Sequence, residues 1–262
     1  MNDRIVVGAL ETDDCQIHSQ VEKLLQSSDM REHETSLVRV KNLADGLQSL
    51  SSGDADIVAL TATTMFGKEQ EISASGCQVI GAITPRRPNL VLVSPNRLFY
   101  QPHGAIIVTE SELVSRQLLR ARPDLQVSST QTLHRLGIGD AVPEGRLDRA
   151  RWLGSELSEG SIDGFVISRA EYENSEQTER RHTLMPFPKD RGGPHFLPPP
   201  YSNLVVFVTR TGFPNRIAEQ ITESEGNTAL WVQSRVLHEL EETPHGVLGL
   251  QVRHRQVGSL LR

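Results

Sequence analysis

Short apolar runs alternate with amphipathic stretches along most of the chain. Residues 4–10 (RIVVGAL) read as a buried strand. Ile17, Val21, Leu24 and Leu25 then recur at helical spacing, and Asp13 and Asp14 stand where negative charge favours a helix N-terminus. A strand at Ser36–Val40 follows, then a helix with Leu43, Leu47 and Leu50 on one face and a turn at Ser51–Asp54. Asp56–Leu60, Gln78–Ile83 and Leu90–Ser94 read as further strands. Strands that alternate with helices argue for a parallel sheet with crossover helices.

A break at Pro95–Gly104 separates this unit from a second one of the same kind. There a strand at Ala105–Val108 leads into a helix at Ser111–Ala121, which Pro123 stops. A strand at Leu125–Ser128, a helix at Asp148–Leu157 and a strand at Asp163–Ser168 complete it. Gly137 and Gly139 lack the Lys-Ser/Thr that would follow in a phosphate loop, so they read as a turn. Glu171–Pro200 is polar, then rich in Pro and Gly, and reads as an exposed excursion. The strongly apolar Leu204–Arg210 is a strand. Helices at Asn215–Thr222 and Thr228–Glu242 follow, and Val247–Arg253 with Gln256–Leu261 reads as a terminal hairpin. Two α/β units and a small α+β tail predict a two-lobed protein with a cleft, its ligand beyond the carboxyl ends of strands.

Composition narrows the function classes. Aromatic residues are 5% of 262, so the cores must rest on aliphatic side chains. A net charge of -6 disfavours nucleic acid, which needs clustered positive charge. The only lysines are Lys23, Lys41, Lys68 and Lys189, so a Schiff-base nucleophile is not expected, whereas arginine forks suit carboxylates. Cys15 and Cys77 are isolated and read as ordinary packed thiols. The nine histidines form no HExxH, and His238 reads as a helix-surface side chain. No metal is expected. A charged segment leading into a long apolar one is absent from MNDRIVVGALE, and no run of about 20 apolar residues exists to span a bilayer. The expectation is a cytoplasmic monomer without membrane or nucleic-acid partners.

Six phrases, in order, resemble the hydroxymethylbilane synthase (porphobilinogen deaminase) family across nearly the whole chain. DADIVALTATTMFG resembles ADIAVHSxKDxP, and CQVIGAITPRRPNLVLVS resembles the Pro-Arg segment and strand that follow it. IIVTESELVSRQLLRARPDLQV is similar to VVGTSSLRRxAQLLRxRPDL. GRLDRARWLGSELSEGSIDGFVIS resembles RGNVxTRLxKLxxGxxDAIxLA. LPPPYSNLVVFV falls where the family has LPxxGQGAxxIE, and QSRVLHELEETPHGVLGL is similar to AERxFLxxLEGGCxxPIGA. The resemblance implies an α/β fold of two periplasmic-binding-protein-like (type II) lobes with mixed sheets and a cleft, plus a shortened α+β C-terminal domain. The domains it implies are residues 1–99 with 183–211, residues 104–182, and residues 212–262.

That family joins four porphobilinogen units head to tail with loss of ammonia. It uses arginines for the pyrrole carboxylates, an aspartate at the reacting pyrrole and a cysteine thioether that holds a dipyrromethane primer. Carried over residue by residue, its Lys and Asp fall on Thr63 and Thr64, and its paired arginines on Leu113 and Val114. Glu110 and Glu112 beside them would repel an acidic pyrrole. The GTRxS phrase falls on Gly8–Thr12 with Leu10 in place of Arg, the GQG turn on Tyr201, Ser202 and Asn203, and the cofactor cysteine on Pro244. No Asp occupies Thr61–Lys68 and no Cys follows Cys77, so a one-residue slip cannot restore these groups. The expectation is a family member with no catalytic residue and no dipyrromethane cofactor.

Other polar groups remain as ligand-binding candidates. Thr61, Thr63, Thr64, Thr109 and Ser111 follow strand ends, where they serve either as caps or as cleft lining. Arg116 and Arg120 share a helix face, and Arg146, Arg149 and Arg151 cluster where the family has the arginines of RGNVxTR. One alternative reading is a binding module for an anionic metabolite or tetrapyrrole intermediate. Another is an active transferase with relocated carboxylates drawn from Asp56, Asp140 and Glu144.

Overall fold

A computed structural model describes residues 4–13, 15–27, 30–85, 90–138, 141–185, 195–240 and 245–252. The chain first lays down β1 (Arg4–Leu10), α1 (Ile17–Leu25), β2 (Glu34–Val40), α2 (Leu43–Ser52) and β3 (Ile57–Thr61). The short helices α3 (Ala62–Met65) and α4 (Glu69–Ala74) lead to β4 (Cys77–Ile83). Next come β5 (Leu90–Val93), β6 (Ile106–Val108), α5 (Glu112–Ala121), β7 (Gln126–Ser128) and α6 (Thr130–Arg135). Then follow α7 (Arg146–Glu159), β8 (Gly164–Ser168), α8 (Arg169–Asn174) and β9 (Arg181–Leu184). The last described elements are β10 (Val205–Arg210), α9 (Asn215–Ile221) and α10 (Ser224–Glu239). The chain divides into two compact units, Met1–Arg86 with Tyr201–Glu241 and Val252–Arg262, and Arg87–Pro200 with Glu242–Gln251.

Each unit is built on a five-stranded sheet, in the orders β2-β1-β3-β10-β4 and β7-β6-β8-β5-β9. In the first, β1 runs parallel to β2 and β3, while β10 enters antiparallel between β3 and β4. In the second, β6 runs parallel to β7 and β8, and β5 enters antiparallel between β8 and β9. The two orders are the same, with one antiparallel strand, β10 or β5, inserted between two strands that follow each other along the chain. This is the mixed-sheet α/β topology of type II periplasmic-binding-protein lobes.

The apolar pattern explains the arrangement. β3 is buried along its whole length, as a central strand covered on both faces must be. Ile5, Val7, Ile57, Val205 and Phe207 form one core with Ile17 and Val21 of α1. In the second unit Leu92 packs with Ile107, Val114 and Leu118, while Val91 and Val93 pack with Val108, Leu153 and Phe165. Successive β5 residues thus serve opposite faces of the sheet, as the pleat requires.

β4 is an edge strand, and α10 covers it. Asn227 Oδ1 accepts the Ala82 N–H at 2.7 Å, Glu223 Oε2 accepts the Thr84 N–H at 2.8 Å, and the Glu223 N–H donates to Ala82 O at 2.9 Å. These bonds occupy edge groups that would otherwise template another strand. Gly226 lets the helix approach so closely, because a Cβ there would lie 2.5 Å from Ile83 C and 2.6 Å from Ala82 O.

Several boundaries differ from expectation. Residues 90–99 and 183–184 belong to the second unit, since the apolar LVLV of β5 is buried by pairing with both β8 and β9. Residues 212–240 form no separate C-terminal domain, because α10 packs on β4 of the first unit. Within the expected excursion α8 and β9 are ordered elements. Residues 245–247 form a 3-10 turn, residues 248–252 carry no strand, and the rest of the expected hairpin lies outside the described residues. Pro244, Gly139 and Asp14 also lie outside them. Gly137 follows α6 with a φ of 75°, as a turn glycine. Cys15 and Cys77 are buried thiols outside any disulfide, and His238 is exposed on α10. Among the described residues no helix is long and apolar enough to cross a membrane.

Candidate functional site

The carboxyl ends of the parallel strands carry most of the candidates, and each unit has its own set. In the first, β3 ends at Thr61, which is buried and caps α3 by accepting the Thr64 N–H at 3.0 Å. The hydroxyls of Thr61 and Thr64 are 2.8 Å apart and hydrogen-bond each other. Thr64, where the resemblance puts the reacting aspartate, therefore offers an engaged neutral hydroxyl. Thr63 is exposed.

The Ala62 N–H donates to Leu204 O at 2.8 Å, which brings the turn before β10 against this strand end. Asn203 Oδ1 accepts from Gln20 Nε2 at 2.8 Å and from the Cys15 thiol at 3.2 Å. Tyr201 and Asn203 hold φ values of 61° and 55°, a left-handed conformation that side chains rarely adopt. Surrounding contacts enforce it. The Tyr201 N–H donates to Gln233 Oε1 at 2.6 Å, its hydroxyl bonds Ser234 Oγ at 2.9 Å, and its ring lies 5.7 Å from that of Phe66. Burial pushes the Tyr201 phenol above its ordinary pKa, against the lowering effect of Ser234.

Glu11 closes the N-terminus of α1. Its Oε2 accepts the Ile17 N–H at 3.1 Å and its Oε1 accepts the His18 N–H at 2.9 Å. The acid expected there was Asp13 or Asp14, but the first turn of α1 contains no acidic residue. Nearby, Thr12 Oγ1 and Gln20 Oε1 are buried without a hydrogen-bond partner.

In the second unit Thr109 is buried at the end of β6, and its Oγ1 accepts the Ser111 N–H at 3.3 Å. Ser111 caps α5 by accepting the Val114 N–H at 3.3 Å. Leu113 and Val114 belong to the buried core, so the family's arginine pair has no counterpart here. Glu110 Oε1 accepts the Thr130 N–H at 2.8 Å.

The arginines divide by partner. Arg116 pairs with Glu112 and Arg151 with Asp148, each on its own helix surface, while Arg120 is exposed at the end of α5. Arg149 donates to Pro143 O at 3.2 Å and Glu144 O at 3.0 Å, which fixes the loop before α7. Arg146 reaches the carboxyl edge, where it meets Glu171 at 2.9 Å. Glu171 also accepts the Ser168 N–H at 2.8 Å in a capping box with Ser168. Arg146, Ser168 and Glu171 are therefore brought together, whereas Arg149 and Arg151 serve the local structure of α7.

Of the carboxylates proposed as relocated catalysts, Asp56 does not stand at the carboxyl end of a strand. Asp56 precedes β3, at the opposite end from Thr61, where its Oδ2 accepts the Val6 N–H at 2.9 Å. Asp140 lies outside the described residues. Among those residues no group of three or more His, Cys, Asp or Glu side chains is placed to hold a metal ion.

No protein-family model and no curated protein matches the chain. Solved structures do. An ABC transporter protein from Parabacteroides distasonis is 14% identical, with 94% of this chain and 80% of that one covered and a TM-score of 0.46. Lipoprotein Tp32 from Treponema pallidum is 15% identical over 94% of this chain and 98% of its own, with a TM-score of 0.42. The periplasmic aliphatic sulphonate binding protein SsuA from Escherichia coli is 11% identical over 98% and 96%, with a TM-score of 0.41. Likeness at this level carries no weight of its own, and the fold assignment rests on the strand orders described above.

Proposed function

We propose that this chain is a non-catalytic small-molecule-binding module on a hydroxymethylbilane-synthase-like scaffold, working as a cytoplasmic monomer. The observation that carries the proposal is the Thr61–Thr64 hydroxyl pair at the end of β3. A hydroxyl does not ionise at neutral pH, so it cannot stabilise positive charge on a pyrrole as a carboxylate does. The end of β3 and, in the other unit, the end of β6 each carry hydroxyls suited to a polar ligand without the charge of a reacting centre.

The turn before β10 supports the scaffold. The two positions at which the resembled phrase has glycine, Tyr201 and Asn203, both carry positive φ. A backbone shape suited to glycine has kept its conformation while other side chains took over its support. Pro244 in place of the cofactor cysteine leaves no sulfur for a primer.

The ligand is a polar molecule read by hydroxyls and backbone amides. Its carboxylates, where it has them, compete with Glu112, Asp148 and Glu171 for Arg116, Arg151 and Arg146. The Glu112–Arg116 and Asp148–Arg151 pairs are exposed and worth about 0–1 kcal/mol, so displacing them is not costly, whereas Glu171 is buried and holds Arg146 more firmly.

Two experiments separate the parts of the proposal. Incubation with porphobilinogen should give no uroporphyrinogen, and intact mass spectrometry should show the unmodified chain; turnover or a covalent primer would refute the loss of chemistry. Thermal-shift titration with porphobilinogen, linear tetrapyrroles and simple carboxylates should raise the melting temperature for at least one class, since a ligand bound only to the native state stabilises it. A flat response to all three classes sinks the binding role.

A further inference from the structure

At the opposite edge of the second sheet from Thr109 and Ser111, β5 runs into the segment Ser94–Gly104. Two large aromatic side chains stand out in water there, Phe99 at 58% and Tyr100 at 75% exposure. They sit in the middle of a 3-10 turn, Leu98–Tyr100, whose flanks are held from both sides. Leu98 and Gln101 are buried. Gln101 Nε2 donates to Ser94 Oγ and to Asn96 O, each at 2.8 Å, and Ser94 Oγ donates to Asp163 O at 2.7 Å. From the other side Arg122 donates to Leu98 O at 3.1 Å and to Gln101 O at 3.3 Å. Asp124 in turn holds the Arg122 guanidinium through two bonds, at 2.7 and 2.6 Å. A turn anchored this way presents its two rings in a fixed frame.

Two arginines are tied to the same segment. Arg97 directly precedes the turn, and Arg180 is tied to its base because the Ser94 N–H donates to Arg180 O at 2.9 Å. Both are exposed, and neither has an ion-pair partner among the described residues. Both charges act on the partly buried His182, whose pKa is lowered by burial first and then by Arg180 and, more weakly, Arg97. On a chain of net charge -6, these are two exposed cations without an ion-pair partner among the described residues.

We infer that the Phe99–Tyr100 turn with Arg97 and Arg180 is a docking surface for an acidic segment of a partner protein. Tyr and Arg are over-represented among residues that dominate protein interfaces, and a pre-ordered turn loses little freedom on binding. Two arginines suit a few carboxylates, whereas nucleic acid calls for a longer basic stripe. Within its unit the surface lies at the other end of the sheet from Thr109 and Ser111, so the two proposals stand or fall independently.

The test uses the full chain and a fluorescein-labelled peptide rich in Glu and Asp around a pair of leucines, followed by anisotropy at low ionic strength. A neutral peptide of the same length and a single-stranded oligonucleotide serve as comparisons. The acidic peptide should bind best and weaken with added salt. Phe99→Ala with Tyr100→Ala, and separately Arg97→Glu with Arg180→Glu, should each weaken it by at least about tenfold while the melting temperature holds. Absence of acidic-peptide binding, equal binding by wild type and variants, or preference for the oligonucleotide would overturn the inference. So would a concentration-dependent dimer in sedimentation that the aromatic double variant abolishes, because the occupant would then be a second copy.

Discussion

Glu11 sits six residues ahead of Ile17, yet its carboxylate occupies the first two amides of α1. Those amides have no partner within the helix, and the N-terminus carries partial positive charge. Glu11→Ala should therefore lower stability by about 1 kcal/mol, with Glu11→Gln intermediate, as read by denaturant unfolding. A second prediction concerns Asp124, whose bonds to Arg122 hold its carboxyl down to about 2 from an ordinary 3.8. A carboxyl with a depressed folded-state pKa adds stability above its unfolded value, and that contribution disappears as pH falls from near 3.8 through about 2. An NMR titration of the Asp124 side chain should show the low midpoint, and Arg122→Gln should return it toward 3.8.

At this scale the sequence was legible wherever partners are close along the chain. Glu112–Arg116 and Asp148–Arg151 could be found from helical spacing. Arg146–Glu171 could not, since the two lie 25 positions apart with a strand between them. Nor could Glu11, because loop geometry rather than spacing brings it to the helix. The positive φ of Tyr201 carries no composition signal of its own and is imposed by Gln233 and Ser234.

The long elements followed their apolar patterns because burial decided them. α1, α2 and α5 have one apolar stripe each, and β1, β3, β5 and β10 are apolar runs. The elements that escaped are short or mostly polar. β9 reads RHTL and becomes a strand only because β5 offers it an edge, while α3, α6 and α8 depend on caps from Thr61, Ser129 and Ser168. The α10–β4 contact makes a sharp prediction here. Gly226→Ala places a methyl group against backbone that cannot swing aside, and should destabilise the first unit by about 1–3 kcal/mol. Hydrogen exchange in β4 should rise in that variant. Unchanged protection would mean that α10 is not what secures this edge.

On the scale of the whole molecule, two α/β units were legible along the chain, but not which strands each one owns. Strand identity is local, whereas ownership is settled by which sheet has a gap of matching polarity. β5 and β10 fill such gaps. A chain ending at Pro200 lacks β10, and β4 then loses the neighbour through which it joins the sheet. In that truncation, hydrogen exchange should show β3 and β4 unprotected while β6 and β8 remain protected. Retained protection in β4 would contradict the central place given to β10.

That chain path has a consequence for biosynthesis. The lobe begun first cannot be finished until Val205–Arg210 has left the ribosome, after the strands of the second lobe. At about 5–20 residues per second, the interval between Thr61 and Val205 is on the order of ten seconds. Throughout it the apolar flank of β3 waits uncovered, and any chaperone that attends this nascent chain has its binding site written into the topology.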